Sequence, residues 1–271
     1  MAKYEVLSKV KHRDLHFTPA KNFSFYARES ISLVGLAEAP LIAKWMPMVF
    51  IKLDKGEMFL GGLHSLVPND NKFIGKNGRW LIPYIPAVVR SYPFKLASMK
   101  NTEDNTTKQI LTFDNESGLF STNKRKNSVA IFTSEGHATE FIFKLGGQLE
   151  ALKKEMDKAS KLAQQIERKG LLSPLSIEDK SGKKQLLKNI FSLNEKNLEA
   201  CTADTLKELS ESSALELVFQ QKFSLSNFQS LLKKTDDSII STREEVVERT
   251  KEKKAAEIND LVQNLLIGND D

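Results

Sequence analysis

Residues 137–174 read HATEFIFKLGGQLEALKKEMDKASKLAQQIERKGLLSP. Within them Phe141, Leu145, Leu149, Leu152, Met156, Ala159, Ala163 and Ile166 recur at intervals of three and four residues. That period belongs to an amphipathic α-helix with one apolar face. The pattern also ends for physical reasons. Arg168 and Lys169 complement the negative end of the helix dipole, Gly170 tolerates left-handed backbone, and Pro174 lacks the donor a helix needs. Around Ser134 the chain therefore passes from one structural regime to another.

Upstream, residues 1–133 read mainly as β. MVFIKL and EMFLGGL are branched or apolar runs joined by DKG, which predicts two strands and a tight turn at Lys55-Gly56. KFIGKNGRWLI repeats the pattern around Asn77-Gly78, and KQILTFD and NSVAIFT are further candidate strands. The polar stretches KNTEDNTTK and NESGLFSTNKRKN read as exposed loops. Residues 36–45 suit a short helix, with Pro40 tolerable only in its first turn.

Downstream, PLSIEDKSGKKQLLKNIFSLN predicts a hairpin around Asp179–Gly182. Asn194 or Asn197 can open a helix, and CTADTLKELSESSALELVFQQKFSL is helix-like, with Leu206, Leu209, Leu217 and Val218 inward. Ser226-x-x-Gln229 and Thr242-x-x-Glu245 fit capping boxes. Residues 235–271 are rich in charge and helix formers. Their thin apolar stripe reads as an appended helix that docks on the body, pairs with another chain or stays partly disordered. The resulting expectation is an α+β fold: a mostly antiparallel sheet from the N-terminal half packed against long C-terminal helices. One domain spans 4–232, β-rich to 133 and helix-rich from 134, and a charged helical extension covers 235–271.

The 271 residues are 40% hydrophobic and 28% charged, an ordinary globular balance. No apolar run is long enough for a signal segment or a spanning helix, so a cytoplasmic setting is expected. Cys201 is the single cysteine, which excludes an intramolecular disulfide and suits a reducing compartment. No His, Lys or Arg stands beside it in LEACTADTL, so a catalytic thiol is not expected. The net charge of +5 is uneven: residues 1–100 hold 15 Lys+Arg against 7 Asp+Glu. These cations are dispersed and match no nucleic-acid motif, so nucleic acid is not the expected partner.

Motifs with chemistry are scarce. No P-loop, GxSxG elbow, HExxH or EF-hand loop is present. Gly61-Gly62 and Gly146-Gly147 lack phosphate-cradling spacing, and the second pair is read as allowing close packing within a helix. A metal site would have to be drawn from His64, His137 and Glu140, the last two being i, i+3 on the predicted helix. Neither a metal nor another cofactor is expected.

The segment 78–94, GRWLIPYIPAVVRSYPF, stands out with three prolines, four aromatics and two arginines. Its prolines fix φ and end the preceding strand in a rigid corner. Two readings stay open. The segment is a packed corner of the core, or it walls a pocket in which Arg79 and Arg90 meet a carboxylate or phosphate beside Trp80, Tyr84 and Tyr92.

The same residues carry a family resemblance. Leu7-Ser8, His12, Phe23–Ala27, Pro47–Phe50 and above all Gly78–Phe94 resemble the pattern of the bacterial SapC family. RKGLL at 168–172 and LELVFQQKFSLSNFQSLL resemble its C-terminal half, so the likeness spans about 4–232. The resemblance implies an accessory protein tied to surface-layer or envelope functions and brings no catalytic residues. Arg79, Trp80, Tyr84, Pro86, Arg90, Tyr92, Pro93 and Phe94 match its signature. The expected function is a non-enzymatic accessory protein that binds a protein or peptide, a surface-layer protein or its export machinery. Its alternative is a small-molecule-binding domain or enzyme with a pocket at Gly78–Phe94.

Overall fold

The computed structural model describes residues 3–100, 106–178 and 184–234. Met1–Phe228 form one compact unit; Gln229–Asp271 form a second, whose described residues 229–234 are helical. The first unit begins with β1 (Tyr4–Val6), β2 (His16–Phe17), β3 (Ile31–Leu33), α1 (Ala39–Trp45), β4 (Met48–Lys52) and β5 (Met58–Leu63). A short helix, α2 (Ala87–Arg90), leads into β6 (Phe94–Lys100), β7 (Thr107–Asp114), β8 (Phe120–Ser121) and β9 (Val129–Ala130). The long helix α3 (Glu140–Arg168) follows, then β10 (Leu172–Glu178), β11 (Lys184–Leu193), α4 (Glu195–Glu199), α5 (Ala203–Glu211) and α6 (Ala214–Ser224).

The fold is α+β with antiparallel pairing throughout the described strands. It is divided into a five-stranded sheet ordered β10-β11-β4-β5-β3 and two three-stranded sheets, β1-β7-β6 and β8-β2-β9. The C-terminal hairpin is thus part of the central sheet. β11 joins the central sheet through Ile190↔Ile51 and Phe191↔Phe50, so the largest sheet draws on both halves of the chain. Its turn at 179–183 lies outside the described residues, as do residues 235–271 with the Thr242–Glu245 box.

Helix α3 spans the predicted range and joins two cores. Its first turns bury Ile142, Leu145 and Leu149 against Phe17, Phe94 and Phe113 of the smaller sheets and Ile131 just after β9. Its later turns bury Ala159, Ala163 and Ile166, and Ser160 Oγ donates to Met58 O at 2.6 Å across to β5. Small residues on α3 permit that approach, and the glycines of β5 make room for α1 and for the neighbouring strands. A Cβ on Gly62 would sit 2.7 Å from Met46 Sδ, and one on Gly61 would collide with Ile51. Gly146 and Gly147 face open space, so the close packing expected there lies at Gly61-Gly62 instead.

Helix α6 seals the sheet with a buried amide. Gln221 Nε2 donates to Met48 O at 3.1 Å and its Oε1 accepts from Leu193 N at 3.2 Å. Ser224 Oγ accepts from Met48 N at 2.8 Å. These backbone groups at the ends of β4 and β11 are satisfied inside the core, where an unpaired one is costly.

Several local expectations change in tertiary context. KFIGKNGRWLI forms no strand pair, only a single bridge Ile74↔Trp80 around the Gly78 turn. NSVAIFT contributes two paired residues and a bridge, Phe132↔Ala138. The helix-like run after Cys201 breaks at Ser213, whose φ is 66°. Asn194 caps α4, accepting from Asn197 N. Ser226 forms no capping box; its hydroxyl donates to Phe223 O at 2.9 Å within a continuing helical turn. No described helix is long and apolar enough to cross a membrane.

Candidate functional site: two clefts flanking a rigid corner

The corner at 80–92 is held by its own aromatic residues. Trp80 is 6% exposed and its indole N–H donates to Tyr84 O at 2.8 Å. It sits among Phe23, His64 and Phe73, with ring centroids 5.7–6.5 Å away. Tyr92 stacks on Phe25 at 4.0 Å and donates its hydroxyl to the buried Asp114 at 2.8 Å. Phe94 belongs to the aromatic core. Trp80 and Tyr92 therefore brace the segment rather than stand open to solvent.

Glu38, which sequence reasoning passed over, organises the rest. It is 7% exposed at the end of a 3-10 turn. Its Oε1 accepts from Gly35 N at 3.2 Å, and Oε2 accepts from Tyr84 OH at 2.8 Å and Ala87 N at 2.9 Å. The only available signal was a lone acid in an otherwise apolar LAEAP run. Burial pushes the Tyr84 hydroxyl up to about 12, reinforced by the bond to Glu38 and by its charge and opposed by Arg90. Arg90 is exposed, donates Nε to Ile85 O at 3.1 Å and holds its guanidinium carbon 5.8 Å from the Tyr84 ring centre.

Tyr84 and Arg90 line one groove, of about 510 Å³, together with Glu38 and α3. Leu41, Leu145, Leu149 and Leu152 supply its apolar wall, with Gln148 and Glu155 among its polar lining. A ledge of about 420 Å³ continues it along α3, sharing Ala151 and Glu155 and adding Lys154, Lys158 and Lys161. Arg79 and Trp80 line a different cleft, of about 380 Å³, with Lys21, Asn22 and Asn77. The two arginines thus serve separate clefts that share no residue.

The candidate metal residues are likewise apart in character. His64 is fully buried: Nδ1 lies 3.1 Å from Glu29 O and 3.3 Å from Asn71 Nδ2, and Nε2 lies 3.0 Å from Ser32 Oγ. Because a carbonyl only accepts, Nδ1–H donates to Glu29 and Nε2 accepts from the Ser32 hydroxyl. Burial pulls its pKa down to about 4. His137 precedes α3, is exposed and lies 3.9 Å from Glu135, while Glu140 pairs with Lys144 at 2.6 Å. Among the described residues no group of three or more His, Cys, Asp or Glu is placed to hold a metal. Cys201 is half-buried, its thiol donating to Asn197 O at 3.4 Å.

Fold and clefts together define an α+β protein of antiparallel sheets braced by one long helix, with a proline-rich corner separating two binding-sized depressions. The family model SapC matches residues 7–231, and the chain belongs to that family. No curated protein and no solved structure matches it.

Proposed function

We propose that this chain is a non-enzymatic accessory protein that captures a protein or peptide segment in the groove along α3. The observation that carries this reading is the groove's uncommitted charge. Glu38 is occupied by three donors, Glu155 by Ala37 N and Lys158, and Asp157 by Lys153. Arg90 keeps guanidinium donors at the rim, and Lys154 and Lys161 have no ion pair among the described residues. From Leu145 to Lys161 the helix runs about 24 Å, the reach of roughly seven extended residues. An apolar wall with spare cations suits an extended segment that alternates aliphatic and acidic side chains. The lack of any catalytic motif in the sequence favours binding over turnover. The cytoplasmic setting and the link to a surface-layer protein or its export machinery rest on the single cysteine and the family resemblance.

The test is a titration with acidic-aliphatic peptides against basic and scrambled controls. Arg90→Ala, and separately Lys154→Gln with Lys161→Gln, are expected to weaken binding about tenfold at unchanged unfolding midpoint. Equal binding of basic peptides, or indifference to these substitutions, overturns the reading. The second reading, a small-molecule or enzyme pocket, draws support from the groove's volume of about 510 Å³, which falls in the range of ligand sites. A thermal-shift screen with anionic metabolites and divalent metals separates the two: a shift abolished by Arg90→Ala favours the pocket.

A further inference from the structure

The cleft on the other side of the corner, lined by Arg79, is a second and independent depression. Its construction starts with Gly78, whose φ is 75°. A Cβ there would sit 2.7 Å from Asn22 Cγ and collide with Ser24, so only glycine lets the 22–24 and 77–80 segments touch. Phe23 N donates to Gly78 O at 2.8 Å and clips them together. Each segment then turns an asparagine in the same way. Asn22 Oδ1 accepts from Ser24 N and Asn77 Oδ1 accepts from Arg79 N, both at 3.1 Å. With both amide oxygens engaged by backbone, each side chain is left with an unpartnered Nδ2H₂ among the described residues.

The remaining polar side chains of this cleft are Lys21 and Arg79, both exposed, and neither has an ion pair among the described residues. No acid lines it. Four side chains from two segments thus bring free donors and two positive charges to one place, over an apolar base of Phe23, Trp80, Ile82 and Ile85. A cationic ligand would meet repulsion there, and a neutral ligand would leave the charges unanswered.

We infer that the cleft formed by Lys21, Asn22, Asn77 and Arg79 binds an oxyanion, carboxylate or phosphate, carried on a small apolar or aromatic body. The guanidinium and ammonium take the oxygens, the two amides donate to them, and the body lies on the Trp80 side. A volume of about 380 Å³ suits a single ring with its anionic group. This site is separate from the α3 groove and stands or falls without it.

The test uses the full chain and calorimetric titration with phenyl phosphate, benzoate and neutral benzyl alcohol. Saturable binding of phenyl phosphate or benzoate is expected, with none for benzyl alcohol. The tighter of the two anions assigns the ligand as phosphate or carboxylate, and either order supports the site. Arg79→Gln and Lys21→Gln are each expected to weaken binding about tenfold, while Arg90→Gln leaves it unchanged. Both substituted residues are exposed, and an unchanged unfolding midpoint confirms that each variant is folded. Three results overturn the inference: saturation by neither anion, equal binding of benzyl alcohol, or an Arg90→Gln loss equal to that of Arg79→Gln.

Discussion

The Tyr84 hydroxyl donates to Glu38 at 2.8 Å, joining residues 46 positions apart. The same carboxylate oxygen takes Ala87 N at the start of α2, and the other takes Gly35 N. One buried side chain therefore holds the proline corner against the turn before α1. Arg90, one helical turn beyond Ala87, is presented at the groove rim as a consequence.

Loss of that clamp leaves three donors without their acceptor. Glu38→Ala is expected to destabilise the fold by about 3 kcal/mol, and Tyr84→Phe by about 1 kcal/mol. Arg90→Ala should cost less than either, because its side chain is exposed. Urea unfolding of the three variants checks the order; a Glu38→Ala midpoint equal to that of Arg90→Ala contradicts it.

All four tyrosines have raised hydroxyl pKa values, each with burial as the leading cause. At pH 10.5 the folded chain should show less phenolate absorbance than the urea-unfolded chain, which should be more than half ionised. The unfolded state sheds protons first, so stability falls as pH rises above about 10. A native titration with a midpoint near 10 for all four would refute this.

His64 acts at the other end of the scale. Its pKa of about 4 in the fold lies below the ordinary value near 6.5. Between these values the unfolded chain binds a proton that the folded chain refuses. The stabilisation is complete above pH 6.5 and is lost as pH falls toward 4, a swing of about 3 kcal/mol. His12 is shifted in the same direction by burial, partly opposed by Glu5. His64→Gln can keep partners at Ser32 and Glu29, and it should flatten the acid limb of stability against pH. An unchanged slope removes His64 as the source.

Gly78→Ala meets both left-handed backbone and the Asn22–Ser24 segment. A loss of about 2 kcal/mol is expected, together with loss of anion binding at the Arg79 cleft. Gly146→Ala and Gly147→Ala face open space in a helix and should stabilise it by up to about 1 kcal/mol each. Thermal melts of the three variants distinguish these signs.

Local rules carried much of the architecture. The three-to-four spacing from Phe141 to Ile166 marked α3, because it records which side chains face one neighbouring surface, and two apolar runs joined by a glycine turn marked β4 and β5, which are buried nearly throughout. GRW…RSYPF and its companions also identified the family. Tertiary structure decided what spacing does not encode. It placed β11 beside β4, left KFIGKNGRWLI as a turn with one bridge, and set Arg79 and Arg90 in different clefts. It also made Glu38, a lone acid in the sequence, the clamp of the corner. Hydrogen bonds between residues dozens of positions apart depend on how the packed elements meet, and short-range periodicity carries no record of that.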